Sequence, residues 1–186
     1  YAVSYDYSMP YNICGGPQDN RSWCGPSKRK QGPVTNAYWF TFAGGDGFWT
    51  AQHPNDPNII WGESQGGNIV RRDLRTAENT RIVKPAWLPK YQQYEDSVLV
   101  TRGDTTKPET KDVAARITDL RKRQKADSVD LDMRFNWETP FFLSPHNPDV
   151  SYMGGNRVLK STKRGDDLYP ISQDLSKKNW AKIDTS

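Results

Sequence analysis

Two carboxylates, Asp46 and Glu63, lie in glycine-rich or strand-end positions where their side chains could act on a substrate. Hydrolysis of a glycosidic bond needs two carboxyl groups that face the same bond. Beside glycine, however, Asp, Asn and Gln more commonly hold turn backbone through side-chain hydrogen bonds. We therefore expect Asp46 and Glu63 to be structural, with glycoside hydrolysis as the alternative.

Cys14 and Cys24 flank a turn-rich segment and would close a short loop if they met across a hairpin. Because this loop has too little apolar content to order itself, we predict a disulfide between them. A disulfide implies an oxidising compartment such as the periplasm or the cell exterior, whereas two buried thiols would fit the cytosol.

Metal and cofactor chemistry is not indicated by the remaining residues. Two cysteines cannot form a zinc site without histidines nearby, and the two histidines, His53 and His146, each lie in a turn beside a proline. We assign neither histidine a ligand role. The sequence therefore predicts no metal and no cofactor.

The elements that carry these residues form a repeat. Ser144–Ser172 reads as a turn followed by three short strands separated by further turns, and Gln52–Arg75 has the same pattern. Such a unit cannot bury its faces alone, so it requires copies of itself. The corresponding residues are Pro54, Pro57, Ile59 and Trp61 with Pro145, Pro148, Val150 and Tyr152 and, after a three-residue slip, Gly66-Gly67-Asn68 with Gly154-Gly155-Asn156.

The spacing of the two copies predicts the architecture. They are about ninety residues apart, and about fifty remain when the polar segment Lys90–Leu131 is removed, near the usual period of a propeller blade. We predict an all-β fold that is part of a β-propeller, about three blades of short antiparallel strands, with a helical insertion around residues 107–126. The predicted domains are blades over residues 1–89, the polar insertion over 90–131 and a further blade over 132–186.

The insertion contains a helix start. Thr106-Lys107-Pro108-Glu109 has the spacing of a capping box, and Val113, Ile117 and Leu120 then fall on one narrow stripe. This helix is either a docking element or a solvated helix that rests on the sheet by that stripe. Two further segments, Val98–Thr101 and Ala37–Ala43, are predicted to be strands.

Several further motifs occur outside the insertion: Cys14–Asn20, Trp23–Ser27, Gly44–Phe48, Asp56–Ile60, Glu63–Asn68 and Phe135–Pro140. Ser161–Leu168 also resembles an Asp-box, Ser-x-Asp-x-Gly-x-x-Trp, although Lys163 and Leu168 replace its aspartate and tryptophan. With these motifs the chain resembles the sortilin-like, BNR/Asp-box propeller proteins of bacteria. The two replacements affect the side-chain bond that ties the Asp-box turn, not the hairpin.

The resemblance implies a fold more than an activity. Turns at the inner strand ends of a propeller converge on its channel, the usual binding region. Sialidases with Asp-boxes also need an arginine cluster and a tyrosine nucleophile, and neither set can be matched here. We expect a non-catalytic binding or structural module, with a glycan-binding or sialidase-like propeller as the alternative. The channel-face candidates are Gln18, Asp19, Asn20, Asp46, Glu63, Gln65, Asn68, Asn136, Glu138 and Asn156.

The length of the chain indicates that other blades or other protein chains accompany it. At forty to fifty residues per blade, 186 residues supply about three blades, whereas closed propellers need roughly four to eight. We expect a fragment or the ordered part of a longer polypeptide, whose open sheet edges are covered by missing blades or by other protein chains. Its expected setting is extracytoplasmic and bacterial, as an accessory subunit or interaction module. An ordinary single β domain is the alternative.

Composition narrows the partner classes. The hydrophobic content is 34%, so we expect no membrane-spanning helix. The net charge of +4 is mild and compatible with an acidic partner or with peripheral membrane association. No run of Lys and Arg interleaved with stacking aromatics occurs, so nucleic acid is not an expected partner.

Overall fold

The computed structural model describes residues 2–82, 84–85, 89–104, 106 and 108–177. These residues form three four-stranded antiparallel sheets and two helices, which fits an all-β fold with a helical insertion. The chain divides into two compact units: Tyr1–Lys84 with Phe135–Ser186 carries the sheets, and Pro85–Arg134 carries the helices. The strands are β1 (Val3–Tyr5), β2 (Asn12–Gly15), β3 (Ser22–Pro26), β4 (Phe40–Ala43), β5 (Thr50–Gln52), β6 (Ile59–Ser64), β7 (Asn68–Asp73), β8 (Glu78–Arg81), β9 (Phe141–Leu143), β10 (Ser151–Gly154), β11 (Val158–Ser161) and β12 (Tyr169–Pro170).

Each sheet is a meander, because strands that follow one another in sequence also pair with one another in the sheet. The first sheet is β1–β4, the second β5–β8 and the third β9–β12. Short turns join most neighbouring strands, as expected for antiparallel pairs. Every sheet therefore begins with a strand that has only one partner within its sheet.

The three sheets share one backbone turn after their first strand. In each, a backbone N–H at the end of that strand donates to a carbonyl at the start of the next. His53 follows Asp6 by 47 residues, and Ser144 follows His53 by 91. The donor and acceptor pairs are Asp6 and Asn12, His53 and Ile59, and Ser144 and Val150, at 3.1, 3.0 and 2.8 Å.

A second bond recurs at the other end of the sheets. In this bond, a backbone N–H shortly after the third strand of the sheet donates to a backbone carbonyl shortly before the second strand. The same spacing of 47 residues separates Ser27 from Leu74, and Arg164 follows Leu74 by 90. The pairs are Ser27 and Tyr11, Leu74 and Asn58, and Arg164 and Asp149, at 2.9, 2.8 and 2.8 Å.

The two copies found in the sequence are therefore the second and third sheets, and the first sheet is another copy that the sequence comparison missed. Its signal was a proline at the equivalent place in each turn: Pro10, Pro57 and Pro148 are spaced by the same 47 and 91 residues. The spacing of 47 residues is close to the repeat period of propeller blades.

A buried polar side chain closes each of the shared turns. Asp6, His53 and Ser144 are 2%, 5% and 9% exposed. Each accepts a hydrogen bond from the backbone N–H two residues later. The equivalent N–H in the three turns is therefore satisfied by three different kinds of side chain. The bonds run from Ser8 to Asp6 Oδ1, from Asn55 to His53 Nδ1 and from His146 to Ser144 Oγ, at 3.1, 3.3 and 3.3 Å.

The first two sheets pack through a small apolar core that contains the disulfide. Cys14 and Cys24 lie opposite each other in β2 and β3 and are bonded, which confirms the predicted pair. Both are buried, and they form one cluster with Phe42, Ala43 and Ile60. The covalent link thus lies inside the contact between neighbouring sheets.

The second and third sheets meet through larger side chains. The rings of Trp61 and Phe141 are 6.5 Å apart, and Trp61 also stacks on His53 at 6.2 Å. Gly67 has a φ of +72°, and a Cβ at this position would lie 3.1 Å from Oγ1 of Thr139 and closer still to Met153. Only glycine combines that backbone conformation with so close an approach.

The helical unit is a pair of helices, α1 (Pro89–Arg102) and α2 (Lys111–Leu131). Their contact is partly polar. Tyr94 Oη donates to Asp127 Oδ2 at 2.7 Å, and Gln124 Nε2 donates to Glu95 Oε1 at 2.5 Å. Among the side chains of α1 that the structure describes, residues 93–102, Val98 is the buried apolar one, at 2% exposed.

The expected strand at Val98–Thr101 is wrong, because this segment is the end of α1. Its Val-Leu-Val run favours a strand locally, but packing against a second helix decides between the two conformations. Helix packing of this kind leaves little trace in a single short segment. The local strand propensity was therefore misleading.

The predicted α2 helix exists, but its start was placed too early. Oγ1 of Thr110 accepts a hydrogen bond from the N–H of Val113 at 3.4 Å, so Thr110 precedes the helix. Thr106 instead binds Asp104, and Lys107 lies outside the described residues. The stripe of Val113, Ile117 and Leu120 is half-buried, while the residues between these positions are exposed.

The strand predicted at Ala37–Ala43 is shorter than expected. Its first part belongs to a 3₁₀ turn, Asn36–Tyr38, in which Tyr38 and Trp39 donate to Thr35 and Asn36. The strand itself begins at Phe40. In the described part of the chain, neither helix has the length and apolar character needed to cross a membrane.

Candidate functional site

Glu63, the last residue but one of β6, has a fully buried carboxyl group. Its Oε1 accepts hydrogen bonds from the backbone N–H groups of Gly67 and Thr139 at 3.3 and 3.2 Å. Its Oε2 accepts a longer one from Trp49 at 3.5 Å. Trp49 directly precedes β5, Gly67 lies in the turn between β6 and β7, and Thr139 precedes β9. This one carboxyl therefore joins the second sheet to the segment that enters the third.

Burial raises the pKa of Glu63 to about 7. The three backbone hydrogen bonds oppose this rise, and the nearby charge of Glu138 adds to it. Lys84 lies close enough for its charge to act on Glu63, but burial and Arg81 lower the pKa of Lys84. The site therefore holds a carboxyl that changes its charge near neutral pH.

Asp46, unlike Glu63, forms hydrogen bonds with two neighbouring turns. Its Oδ1 accepts a hydrogen bond from the N–H of Asp19 at 3.1 Å, and its own N–H donates to Gln65 Oε1 at 3.0 Å. Gln65 in turn accepts, at its carbonyl, a bond of 2.8 Å from Asn68 Nδ2. Asp19, Asp46, Gln65 and Asn68 thus form a chain of hydrogen bonds between corners of the first and second sheets.

The geometry favours the structural role of Asp46 and Glu63. The Glu63 carboxyl is inaccessible and bonded to backbone, whereas Asp46 lies in a separate corner network. A retaining or inverting hydrolase needs both carboxyl groups at one accessible bond. The hydrogen bonds of these two residues hold turns, as expected for acidic side chains beside glycine.

The other channel-face candidates lie in local turns. Asn20 Nδ2 donates to the carbonyl of Gln18 at 3.1 Å, and both residues are exposed. In the segment before β9, Asn136 Oδ1 accepts the N–H of Trp137 at 2.8 Å, and Glu138 is half-buried near Glu63. Asn156 lies apart from them, in the β10–β11 turn. Its Nδ2 donates to Asp174 at 3.1 Å.

The degenerate Asp-box turn is tied by a residue that the motif does not contain. Asp167 replaces the missing aspartate: its carboxylate accepts hydrogen bonds from the hydroxyl of Ser161 and from the backbone N–H of Thr162 and Lys163. These bonds, the one from Ser161 foremost, lower the pKa of Asp167. The hairpin β11–β12 forms as predicted, with Lys160 opposite Tyr169.

A second polar cluster joins the second and third sheets and was missed in the sequence. Nε2 of buried His53 lies 3.3 Å from Asp149 Oδ1, which also accepts from Arg164 Nε at 2.5 Å. Arg71 completes the cluster by pairing with Asp166 at 3.0 Å. The turn prolines hid this role, because they made His53 read as an ordinary turn residue. Among the described residues, no group of His, Cys, Asp and Glu has a metal-binding arrangement.

The first strands of the three sheets line one groove of about 370 Å³. β1, β5 and β9 occupy equivalent positions in the repeat, so the fold places the same edge of each sheet at this groove. Tyr5, Tyr7 and Phe142 are exposed there. None of the ten channel-face candidates is among its described lining residues.

Comparison with known proteins gives no family for this chain: no family model, no curated protein and no solved structure matches it. The likeness to sortilin-like and Asp-box propellers therefore stays a hypothesis that rests on the sequence motifs.

Proposed function

We propose that this chain is a non-catalytic binding module built from successive blades of a β-propeller. The observation that carries the non-catalytic part is the bonding of its two candidate catalytic carboxylates: Glu63 is buried against three backbone N–H groups, and Asp46 binds a turn. A general acid or nucleophile must reach its substrate. The first strands of the sheets instead present a groove.

The repeat supports the propeller. Three meander sheets, related by shared turn hydrogen bonds and a spacing of 47 residues between the first two, match blade architecture. Closure of a ring takes roughly four to eight blades. Further sheets, from this polypeptide or from other chains, are the proposed cover for the outer faces of the first and third sheets.

Both outer faces expose apolar and aromatic side chains of the kind that other protein surfaces usually cover. On the first sheet, an apolar recess is lined by Ile13, Trp23 and Trp39 over glycine backbone. On the third sheet, Phe142 and Tyr152 stack at 5.2 Å, and Phe142 is 55% exposed. Large exposed aromatics grouped on a sheet face are typical of protein contacts.

The catalytic alternative is tested with the carboxylate variants Asp46→Asn and Glu63→Gln. We expect the protein to release no product from a panel of aryl glycosides, including aryl sialosides, and both variants to behave like the wild type. Turnover that either substitution abolishes, with the circular dichroism spectrum intact, would reject the non-catalytic proposal. An extracytoplasmic, bacterial setting remains part of the proposal and is tested by fractionating the source cells.

The propeller is tested by the native mass of the protein isolated from its source. We expect a mass well above the 21.3 kDa of this chain, from a longer polypeptide or from co-purifying chains that cover the outer faces. A stable monomer of 21.3 kDa would instead favour a self-contained β domain.

A further inference from the structure

We infer that a second copy of this chain covers both outer faces, so that two copies of the three sheets close one ring. An outer face is the side of the first or the third sheet that is turned away from the second sheet. This inference rests on the proposed propeller and names the partner that completes it. A ring of two copies lies within the roughly four to eight sheets that a closed propeller requires.

The repeat determines which side of each sheet faces which neighbour. In the second sheet, Thr50 Oγ1 donates to the carbonyl of Cys14 at 3.2 Å, and Ile60 packs in the cluster around the disulfide, so both face the first sheet. Trp61 faces the other way, toward Phe141 of the third sheet at 6.5 Å. Phe141 begins β9 as Thr50 begins β5. Both inner contacts therefore join the same two sides of neighbouring sheets.

The outer face of the first sheet is equivalent to the side that the second sheet turns toward the first. Val3 begins β1 as Thr50 begins β5, and Ile13 precedes Ile60 by the repeat spacing of 47 residues. Val3 is 69% exposed, whereas Thr50 is 6% exposed. Val3 and Ile13 line an apolar recess of about 310 Å³. This recess lies where a preceding sheet would pack.

The outer face of the third sheet is equivalent to the side that the second sheet turns toward the third. After the fourth strands, the N–H of Ile82 donates to Ile69 at 2.9 Å in the second sheet. The N–H of Ile171 donates to Val158 at 2.8 Å in the third. Ile82 is 4% exposed and contacts Gly165 of the third sheet, where a Cβ would lie 2.6 Å from its Cδ1. Ile171 holds the same position but is 49% exposed, because no sheet follows it here.

The two outer faces are therefore the two sides of the contact that the chain makes between its own sheets. A partner that fits the third sheet must present the side that is exposed on the first, and every copy carries one of each. Two copies related by a two-fold axis make both contacts at once. Such a ring is favoured over an open chain of copies, because its second contact forms within the dimer at high effective concentration.

One charged residue opposes this contact. Lys160 of β11 takes the place of Arg71 in β7, whose guanidinium donates to the carbonyl of Arg164 in a turn of the third sheet at 3.0 Å. The equivalent turn of the first sheet carries Lys28, Arg29 and Lys30. A like-charge approach at the rim of a contact costs about fivefold in affinity or less, which is small beside the burial of several aromatic and aliphatic side chains.

The test is sedimentation velocity of the purified chain over about 1 to 100 µM. We expect a dimer of twice 21.3 kDa and no larger species. Val3→Asp on the first sheet and Ile171→Asp on the third should each weaken dimerisation about a hundredfold, because each places a charge in both contacts of the ring. Lys160→Glu should strengthen dimerisation about fivefold by removing the repulsion.

A mixture of the two aspartate variants tests the head-to-tail arrangement. In the mixed dimer, one contact joins an unchanged third sheet to an unchanged first sheet, so association should return, more weakly than in the wild type. Two copies that met through the same face would lose dimerisation with only one of the variants and would gain nothing on mixing.

Val100→Asp is the matched control, because Val100 is also an exposed valine, at 82%, but belongs to α1 and not to a sheet. It should dimerise like the wild type, and circular dichroism checks the fold of every variant. The inference is overturned if the chain stays monomeric at about 100 µM, if mixing restores no dimer, or if Val100→Asp and Val3→Asp lose the same affinity. A monomer whose native source yields a longer polypeptide would leave the propeller standing, since the native mass decides that proposal.

Discussion

Oε1 of Glu63 accepts a hydrogen bond from the backbone N–H of Thr139 at 3.2 Å, across 76 residues of sequence. The bond joins β6 of the second sheet to the segment that enters the third. In the other two sheets the residue at the equivalent position is glycine, Gly16 and Gly154. The second sheet alone therefore uses a carboxyl at this position.

Glu63 should make stability depend on pH around neutrality. Its pKa is raised from 4.5 to about 7 in the folded protein, so the folded state holds the proton more tightly than the unfolded state. The stabilisation is complete below about pH 4.5 and is lost as the pH rises through about 7, an upper limit of about 3 kcal/mol. Urea unfolding at pH 5, 6, 7 and 8 measures this loss.

Glu63→Gln isolates that dependence. Glutamine keeps one acceptor oxygen for the N–H groups of Thr139 and Gly67 but does not titrate. We expect the variant to lose most of the change in unfolding free energy between pH 5 and 8, whereas the exposed-site control Glu78→Gln should keep it. An unchanged pH profile in Glu63→Gln would show that other groups cause the dependence.

Gly67→Ala should destabilise the protein more than Gly66→Ala. Both glycines have a positive φ, +72° and +69°, so both substitutions carry a conformational cost of about 1 kcal/mol. At Gly67 the new methyl group would also meet Thr139 and Met153, whereas at Gly66 the nearest atom is Lys84 Nζ at 4.0 Å. We expect a further loss of about 1–3 kcal/mol at Gly67 in chemical denaturation. Equal losses would mean that the sheets separate easily.

Asp167→Ala should loosen the turn between β11 and β12. It removes the acceptor for the Ser161 hydroxyl and for two backbone N–H groups, with an expected loss of about 1–3 kcal/mol. Because these bonds lower the pKa of Asp167, their contribution is present above the ordinary value of 3.8 and is lost as the pH falls. Thermal melting at pH 7 and pH 3 checks both statements.

Asp166→Ala is the control for that turn. Asp166 pairs with Arg71 at the surface, with 49% of its side chain exposed, so its removal should cost at most about 1 kcal/mol. If both alanine variants have the same melting temperature, the hydrogen bonds accepted by Asp167 contribute little to stability.

Removal of the disulfide should lower stability by about 2–3 kcal/mol, the chain-entropy value for a loop with a sequence separation of 10. The pair Cys14→Ala and Cys24→Ala leaves the small core with Phe42 and Ile60 but without the link. Unfolding of the wild type with and without reductant gives the same comparison. The double variant should not respond to reductant, and a response would point to an effect unrelated to the disulfide.

The sequence predicted the features that depend on local composition. The disulfide, the turns and the repeat in the second and third sheets follow from Cys, Gly and Pro spacing. The first copy was missed because it shares with the other two mainly its backbone hydrogen bonds and, in sequence, little more than one turn proline. Asp6, His53 and Ser144 have no side-chain similarity, yet each accepts the N–H two residues later.

The candidate site was harder to predict because burial is a tertiary property. Glu63 and Asp46 look alike beside their glycines, but only the packing of a second sheet buries Glu63. The groove was also hidden, since its lining comes from three segments far apart in sequence. No local pattern shows that Tyr7 and Phe142 line the same groove.

The order of strands in each sheet allows the sheets to fold one after another during translation. Each sheet is complete as soon as its fourth strand leaves the ribosome, because every strand pairs only with its sequence neighbours. The first two sheets and their buried disulfide can thus assemble while Pro85–Arg134 is still being translated, an interval of about 3–10 s at ordinary elongation rates. During that interval the carboxyl group of Glu63 lacks the hydrogen bond from the N–H of Thr139, because Thr139 has not yet been synthesised. The Glu63 side chain is therefore incompletely buried in the nascent chain until the third sheet forms.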